Sequence, residues 1–201
     1  MSRLKSPFFW FVLAMLTAAA LTALGPEEKS LGGNVPIIYL NGAWQLAAQA
    51  ALGLAACTGL FGILARRDGA HRWSAALGRT GIFFWVVYLP LFLWAVQANW
   101  TELFSSEPRF RIAVIFAAIG VVLQIGLSLL ARPGATSLAN FAFFIALWIA
   151  NSQAEYLRPT APSLIVQSGI LSLQLFSVGL VFLTLASAYF MTKWWLTKQN
   201  R

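Results

Sequence analysis

Residues 112–131 read IAVIFAAIGVVLQIGLSLLA, which is twenty residues without a charged side chain. A helix needs about 20 mainly apolar residues to cross the hydrocarbon core of a bilayer. Lipid offers no hydrogen bonds to the backbone, so such a stretch must satisfy its own N–H and C=O groups as an α-helix. This stretch therefore predicts a transmembrane helix and decides the fold class.

Five more apolar stretches accompany it along the chain. Of 201 residues, 59% are hydrophobic and only 10% are charged, with a mean hydropathy of +0.73. Soluble domains carry about 25% charged residues. We therefore predict an all-α fold, a polytopic membrane helix bundle of about six transmembrane helices that forms a single domain over residues 1–201. The predicted spans are 8–24, 38–65, 80–98, 112–131, 137–153 and 171–192.

The first span also has features of a secretory signal peptide, because Arg3 and Lys5 precede its apolar core and Ala18 and Ala20 imitate a cleavage site. The apolar run, however, continues past these alanines to Leu24, and five spans follow it. We therefore predict a first helix that is retained.

The charges divide unevenly between the two sets of connections and ends. One set holds ten positive residues and a single acid, Asp68, whereas the other holds four positive residues and five acids. Lysine and arginine concentrate on the cytoplasmic side of membrane proteins. We therefore predict that both termini are cytoplasmic. The ten positive residues are Arg3, Lys5, Arg66, Arg67, Arg72, Arg79, Arg132, Lys193, Lys198 and Arg201.

Small and polar side chains recur at helical spacing along the second span. Asn41, Gln45 and Gln49 share one face, which predicts a stripe directed at the bundle interior or at a cavity. The stripe is either a polar ligand-binding seam or a set of interhelical hydrogen bonds. The series from Ala51 through Ala55 to Gly59 predicts close helix packing.

The composition disfavours several function classes. The one cysteine, Cys57, excludes a disulfide within the chain and is expected to be a small buried hydrophobe. The one histidine, His71, lies in a basic segment where we expect it to be solvated. No catalytic or metal-ligand pattern appears and the span interiors hold no ionisable group, so we predict neither an enzyme nor a proton pump. Because the positive charges punctuate apolar segments, no nucleic-acid partner is predicted.

The three non-cytoplasmic connections, 25–37, 99–111 and 154–169, gather charges that are expected to form a shallow cap over the bundle. Two interpretations remain open. The charges either pair with one another and tie the loops together, or the arginines clamp the carboxylates of an amphipathic ligand or dock a partner. These charged residues are Glu102, Glu107, Arg109, Arg111, Glu155 and Arg158.

Three segments in this order resemble the cytochrome c assembly family of heme-handling membrane proteins, which includes heme exporter protein C. They are GGNVPIIYLNGAW at 32–44, WTELFSSEPR at 100–109 and EYLRPTAPS at 155–163. The second matches the spacing of that family's tryptophan-rich signature. The resemblance implies an outer platform in which Trp100 and Phe104 contact a porphyrin and arginines pair with its propionates. The site residues that it implies are Tyr39, Asn41, Trp44, Trp100, Phe104, Glu107, Arg109, Arg111 and Arg158.

The chain departs from the family at the iron ligands. Asn41 and Arg158 stand where the family has its two axial histidines, and Phe104 and Ser106 replace two signature tryptophans. Bis-histidine heme ligation by this chain alone is excluded, since it has one histidine. Heme stays a possible cofactor whose iron ligands a partner supplies.

Two functions follow from this comparison of motifs. The chain is either a divergent cytochrome c assembly protein or a structural or accessory subunit of a larger respiratory or photosynthetic membrane complex. A small-molecule exporter ranks third, because only the amide stripe suggests it. The expected partners are the lipid bilayer and other membrane subunits or a cytochrome. The expected location is the bacterial inner membrane, with the functional loops on its outer side.

Overall fold

The computed structural model describes residues 6–25, 35–99, 108–153 and 170–199. These residues form six α-helices and contain no strand. We number them in chain order: α1 Pro7–Ala23, α2 Val35–Ala65, α3 Asp68–Asn99, α4 Pro108–Leu130, α5 Pro133–Ser152 and α6 Leu171–Gln199.

The all-α membrane bundle predicted from the sequence is confirmed. Five helices, α2 to α6, are long and apolar enough to cross a membrane, and α1 is an apolar helix of 17 residues. Spans range from about 17 to 25 residues, so α1 lies at the lower limit. A bundle of five or six crossings therefore follows from length and composition.

Two-residue connections set the arrangement of the middle four helices. Arg66–Arg67 joins α2 to α3, and Ala131–Arg132 joins α4 to α5. Arg66 and Ala131 have φ values of 52° and 49°, so each ends its helix in the left-handed conformation that reverses the chain. We call the end of the bundle that holds these two turns the basic end. The first turn of α1 and the last turns of α6 line one cavity with the start of α3, so they lie at this end too.

α2 and α3 form the centre of the bundle. Both pack on α5 and α6 as well as on each other, and α1 packs on α6 and α2. α4 is peripheral, because among the described helices it contacts only α3 and α5. α4 therefore lies at the edge of the bundle.

All six helices extend beyond the predicted spans at one end or both, and α3 and α6 do so by the most residues. α3 begins at Asp68 rather than at residue 80, and α6 continues to Gln199 rather than ending at 192. An acid in the first turn of α3 and a lysine, Lys198, in the last turn of α6 both complement the helix dipole. α4 begins at Pro108, so Arg109 and Arg111 belong to its first turn and not to a loop. The predicted connections are correspondingly shorter.

The small residues of α2 pack as expected. Ala51 and Ala55 are buried, and a Cβ on Gly59 would lie 2.9 Å from the backbone oxygen of Ser137 on α5. The expectation for Cys57 was wrong, because its side chain is exposed on the bundle surface. An apolar helix offers no pattern that separates a lipid-facing from a core-facing position, since lipid is as apolar as the core.

Candidate functional site

Three of the predicted site residues lie on the first turns of α2, at the end of the bundle opposite the basic end. Tyr39 is 2% exposed, and its ring centroid lies 6.1 Å from that of Phe176 on α6. Trp44 is 3% exposed and stacks on Phe84 of α3 with 4.9 Å between ring centroids. Both are core residues.

Two polar atoms of this region are buried without a hydrogen-bond partner among the described residues. They are the Oδ1 acceptor of Asn41 and the Nε1 donor of Trp44. Residues three apart lie on one face of a helix, so an acceptor and a donor stand one turn apart. A buried unpaired polar group costs about 1–3 kcal/mol. Among the described residues, Asn41 Oδ1 and Trp44 Nε1 are therefore the two atoms of this region that still need a hydrogen-bond partner.

The arginines at the start of α4 are separated from this pair. Arg109 is half-buried and Arg111 is exposed, and α4 does not contact α2. A row of rings leads along α3 to the first turn of α4, with successive centroid distances of 5.6, 5.7 and 5.6 Å. The row runs Trp85, Tyr88, Phe92 and then Phe110 of α4. The two groups share an end of the bundle, but the helices that carry them, α2 and α4, do not contact each other.

Four of the predicted site residues, Trp100, Phe104, Glu107 and Arg158, lie outside the described residues. The fold therefore places one part of the predicted site in the core and another at the bundle edge. Gln45 and Gln49 are half-buried on α2, as is Asn41.

A buried polar network at the basic end escaped sequence reasoning. Asn140 of α5 donates from Nδ2 to the backbone oxygen of Ser74 at 3.0 Å and to Ser74 Oγ at 3.2 Å. Its Oδ1 accepts a hydrogen bond from Gln124 Nε2 of α4 at 2.9 Å. Ser74 Oγ in turn donates to the carbonyl oxygen of Ala55 on α2 at 2.8 Å. One asparagine thus links α3, α4 and α5, and through Ser74 the network reaches α2.

His71 belongs to the same region. Its Nδ1 and the Oγ of Ser137 are 2.7 Å apart and hydrogen-bonded, and the ring packs against Gly62 of α2. The expectation of a solvated loop histidine was wrong, because His71 lies on α3 and is half-buried. The sequence contained one signal of the polar network around Asn140. Gln124 and Asn140 stand among apolar residues, and because an unpaired polar side chain within a span is costly, both must find partners inside the bundle.

Other hydrogen bonds also join helices. Trp85 Nε1 donates to the carbonyl oxygen of Ala113 at 3.0 Å, Thr184 Oγ1 donates to that of Ala43 at 3.2 Å, and the hydroxyl oxygens of Thr192 and Thr80 are hydrogen-bonded at 3.0 Å. In the part of the chain that the structure describes, no group of three or more His, Cys, Asp or Glu residues could hold a metal ion.

Comparisons of the chain with protein-family models, with characterised proteins and with solved structures find no match.

Proposed function

We propose that this chain is a structural subunit of a larger membrane complex, built on a bundle that resembles the heme-handling proteins. The observation that carries the proposal is the burial of Tyr39 and Trp44. Side chains that are 2% and 3% exposed and packed on Phe176 and Phe84 contribute to the core and offer little surface to a flat macrocycle. The contacts of Tyr39 and Trp44 therefore support a structural role for these two residues of the segment that resembles heme-handling proteins.

The surface best suited to contact another subunit is the outer face of α4, which is the side that faces away from α3 and α5. The most apolar stretch of α4 is only 22% buried, compared with 44% for α2 and for α3. Its outer face combines exposed branched residues, Ile119 and Val122 among them, with two exposed small residues, Ala118 and Gly126. A Cβ on Gly126 would meet no atom within 4 Å. Small residues permit the close backbone approach on which helix association in lipid depends.

The experiment purifies the tagged protein from its native membrane in a mild detergent. We expect a stable assembly with redox or pigment-bearing subunits, and we expect Val122→Trp to weaken it because the indole prevents close approach. Val178→Trp on α6 is the matched control, since Val178 is 60% exposed and Val122 is 70% exposed. A monodisperse monomer, or equal loss of assembly in the two variants, contradicts the proposal.

Heme handling is the second candidate. The unpaired Oδ1 of Asn41 and Nε1 of Trp44 favour it, because a bound amphipathic ligand could satisfy them. Arg109 and Arg111 at the same end supply the positive charge that propionates pair with. The purified chain titrated with heme separates the candidates: a saturable Soret change lost in Arg109→Ala and Trp100→Ala variants supports heme handling, and no saturable change supports the subunit.

We further propose that the basic end faces the cytoplasm of a bacterial inner membrane and that both termini are cytoplasmic. The support is the charge asymmetry, together with the shared position of the first turn of α1 and the last turns of α6.

Cysteine labelling tests this orientation. In a Cys57→Ala background, Glu107→Cys and Arg158→Cys should react with a membrane-impermeant maleimide on intact cells. Arg67→Cys should react only after permeabilisation, because a charged reagent does not cross the bilayer. Labelling of Arg67→Cys in intact cells, with protection of the other two, reverses the orientation.

A further inference from the structure

We propose that the basic end of the bundle binds an anionic phospholipid, with its phosphate beside Arg72 and Lys193 and one acyl chain in an apolar slot between α2, α3 and α6. Nothing in this proposal depends on the function proposed above.

A cavity of about 540 Å³ supplies the headgroup site. The first turns of α1 and α3 and the last turns of α6 line it. Among the described residues, its lining includes the cations Arg72 and Lys193 and no acidic residue. Ligand cavities in proteins have volumes of about 300–1,000 Å³, so this one is large enough for a lipid headgroup. Its charge favours an anion.

Aromatic rings hold the cationic group at one wall of this cavity. The Nζ of Lys193 lies 5.2 Å from the ring centroid of Trp73 and 5.8 Å from that of Tyr189. These are distances at which an ammonium group is attracted to a ring face. The lysine is therefore positioned before any ligand arrives, which lowers the entropic cost of binding an anion.

A second cavity, of about 280 Å³, shares the walls Trp73 and Tyr189 with the first. On α2 its wall runs from Ala47 through Leu54 to Thr58. The eleven helical rises from residue 47 to residue 58, at 1.5 Å each, give a length of about 16 Å. Half of the hydrocarbon core of a bilayer is about 15 Å thick. The slot thus runs from the headgroup level to about mid-membrane, as an acyl chain of one leaflet does.

The chemistry of the slot suits a hydrocarbon chain. Both of its threonine hydroxyls already donate to carbonyl oxygens of their own helices: Thr58 to Leu54 at 2.7 Å and Thr192 to Ala188 at 2.8 Å. The other α2 residues that line it are alanines and Leu54. The slot therefore presents apolar surface, and Leu54, 55% exposed at its edge, marks the side from which a chain can enter from the bilayer.

The two cavities together identify a lipid and not a soluble anion. A free phosphate would use only the basic cavity. A lipid without net charge would gain no net electrostatic attraction from the positive charge of that cavity. An anionic phospholipid uses both. Juxtamembrane lysine and arginine attract anionic headgroups, each strengthening binding by about fivefold.

Native mass spectrometry of the full chain in detergent tests the proposal. Phosphatidylglycerol should bind about tenfold more tightly than phosphatidylcholine with the same acyl chains, because only the former carries net charge. Arg72→Gln and Lys193→Gln should each weaken phosphatidylglycerol binding by about fivefold and phosphatidylcholine binding by less, because the choline group offsets the charge of its phosphate. Ala50→Phe, which fills the slot, should weaken both lipids.

Lys198→Gln is the matched control. Lys198 lies on the same helix and at the same end, with its Nζ 4.4 Å from the Trp194 ring centroid, but it lines neither cavity. Equal effects of Lys198→Gln and Lys193→Gln would reduce the site to general surface charge and overturn the proposal. Equal affinity for phosphatidylcholine would overturn it as well. Binding of glycerol phosphate as tight as that of phosphatidylglycerol would assign the basic cavity to a soluble phosphate.

Discussion

Gly59→Leu is expected to destabilise the folded protein by about 1–3 kcal/mol, the usual cost of overpacking a core. An ideal Cβ at this position lies 2.8 Å from Ser74 Oγ, 2.9 Å from the backbone oxygen of Ser137 and 3.1 Å from Ser137 Cα. Two of these three atoms are backbone atoms of α5, so no rotamer change relieves the contact. α5 has to move away from α2, and the hydrogen bond from Ser74 Oγ to Ala55 is strained at the same time.

Gly126→Leu supplies the control for this experiment. It introduces the same side chain into a helix, but a Cβ on Gly126 meets nothing within 4 Å. Leucine also has the higher helix propensity, so this variant should be as stable as the unmodified chain or slightly more stable. Unfolding of the purified chain in mixed micelles measures both. Equal stability of the two variants would show that α2 and α5 are not in close contact.

Asn140→Leu is expected to lower the free energy of unfolding by about 1–3 kcal/mol, because it leaves buried polar groups without partners. Leucine resembles asparagine in size, and Gly78 provides the space that the side chain occupies. The loss therefore comes from the hydrogen bonds to Ser74 and from Gln124, and not from shape. Ser128→Ala is the control, because its hydroxyl is exposed and bonds only within α4.

A double-mutant cycle with Gln124→Leu tests the mechanism. Once residue 140 is leucine, the amide of Gln124 has lost this partner, so replacing Gln124 should then cost less than it does in the unmodified chain. Interhelical hydrogen bonds in membranes are worth about 0.6 kcal/mol on average and at most about 1.7, which bounds the coupling. Additive effects would mean that the bond between Gln124 and Asn140 contributes nothing to stability.

The burial of Tyr39 and Trp44 could not be predicted from the sequence. Their place near the start of the second span was predicted, and the motif around them suggested an outer platform. The structure buries both against α3 and α6. A soluble helix reveals its buried face through a hydrophobic stripe. Apart from the stripe of Asn41, Gln45 and Gln49, α2 is apolar on all sides, so its apolar residues carry no record of which face meets protein and which meets lipid.

Polar residues were more informative than apolar ones, but only about the need for a partner. Gln124 and Asn140 are conspicuous among apolar neighbours because an unpaired amide in lipid is costly. That cost predicts a hydrogen bond for each of them without saying where the partner lies. Ser74, which accepts from Asn140, is 66 residues away along the chain. Only the packing of α5 on α3 brings the two together.

The fold class and the imbalance of charge between the two sets of connections follow from the amino-acid sequence, because the bilayer requires long apolar helices and the distribution of lysine and arginine is visible in the chain. Tertiary structure alone decided that the starts of α1 and α3 and the last turns of α6 enclose one basic cavity, and that the apolar slot adjoins it. The physical reason is that the side chains forming these cavities lie far apart in the sequence. Their convergence depends on which helices pack together, and in lipid that choice rests on close packing and hydrogen bonds rather than on hydrophobicity.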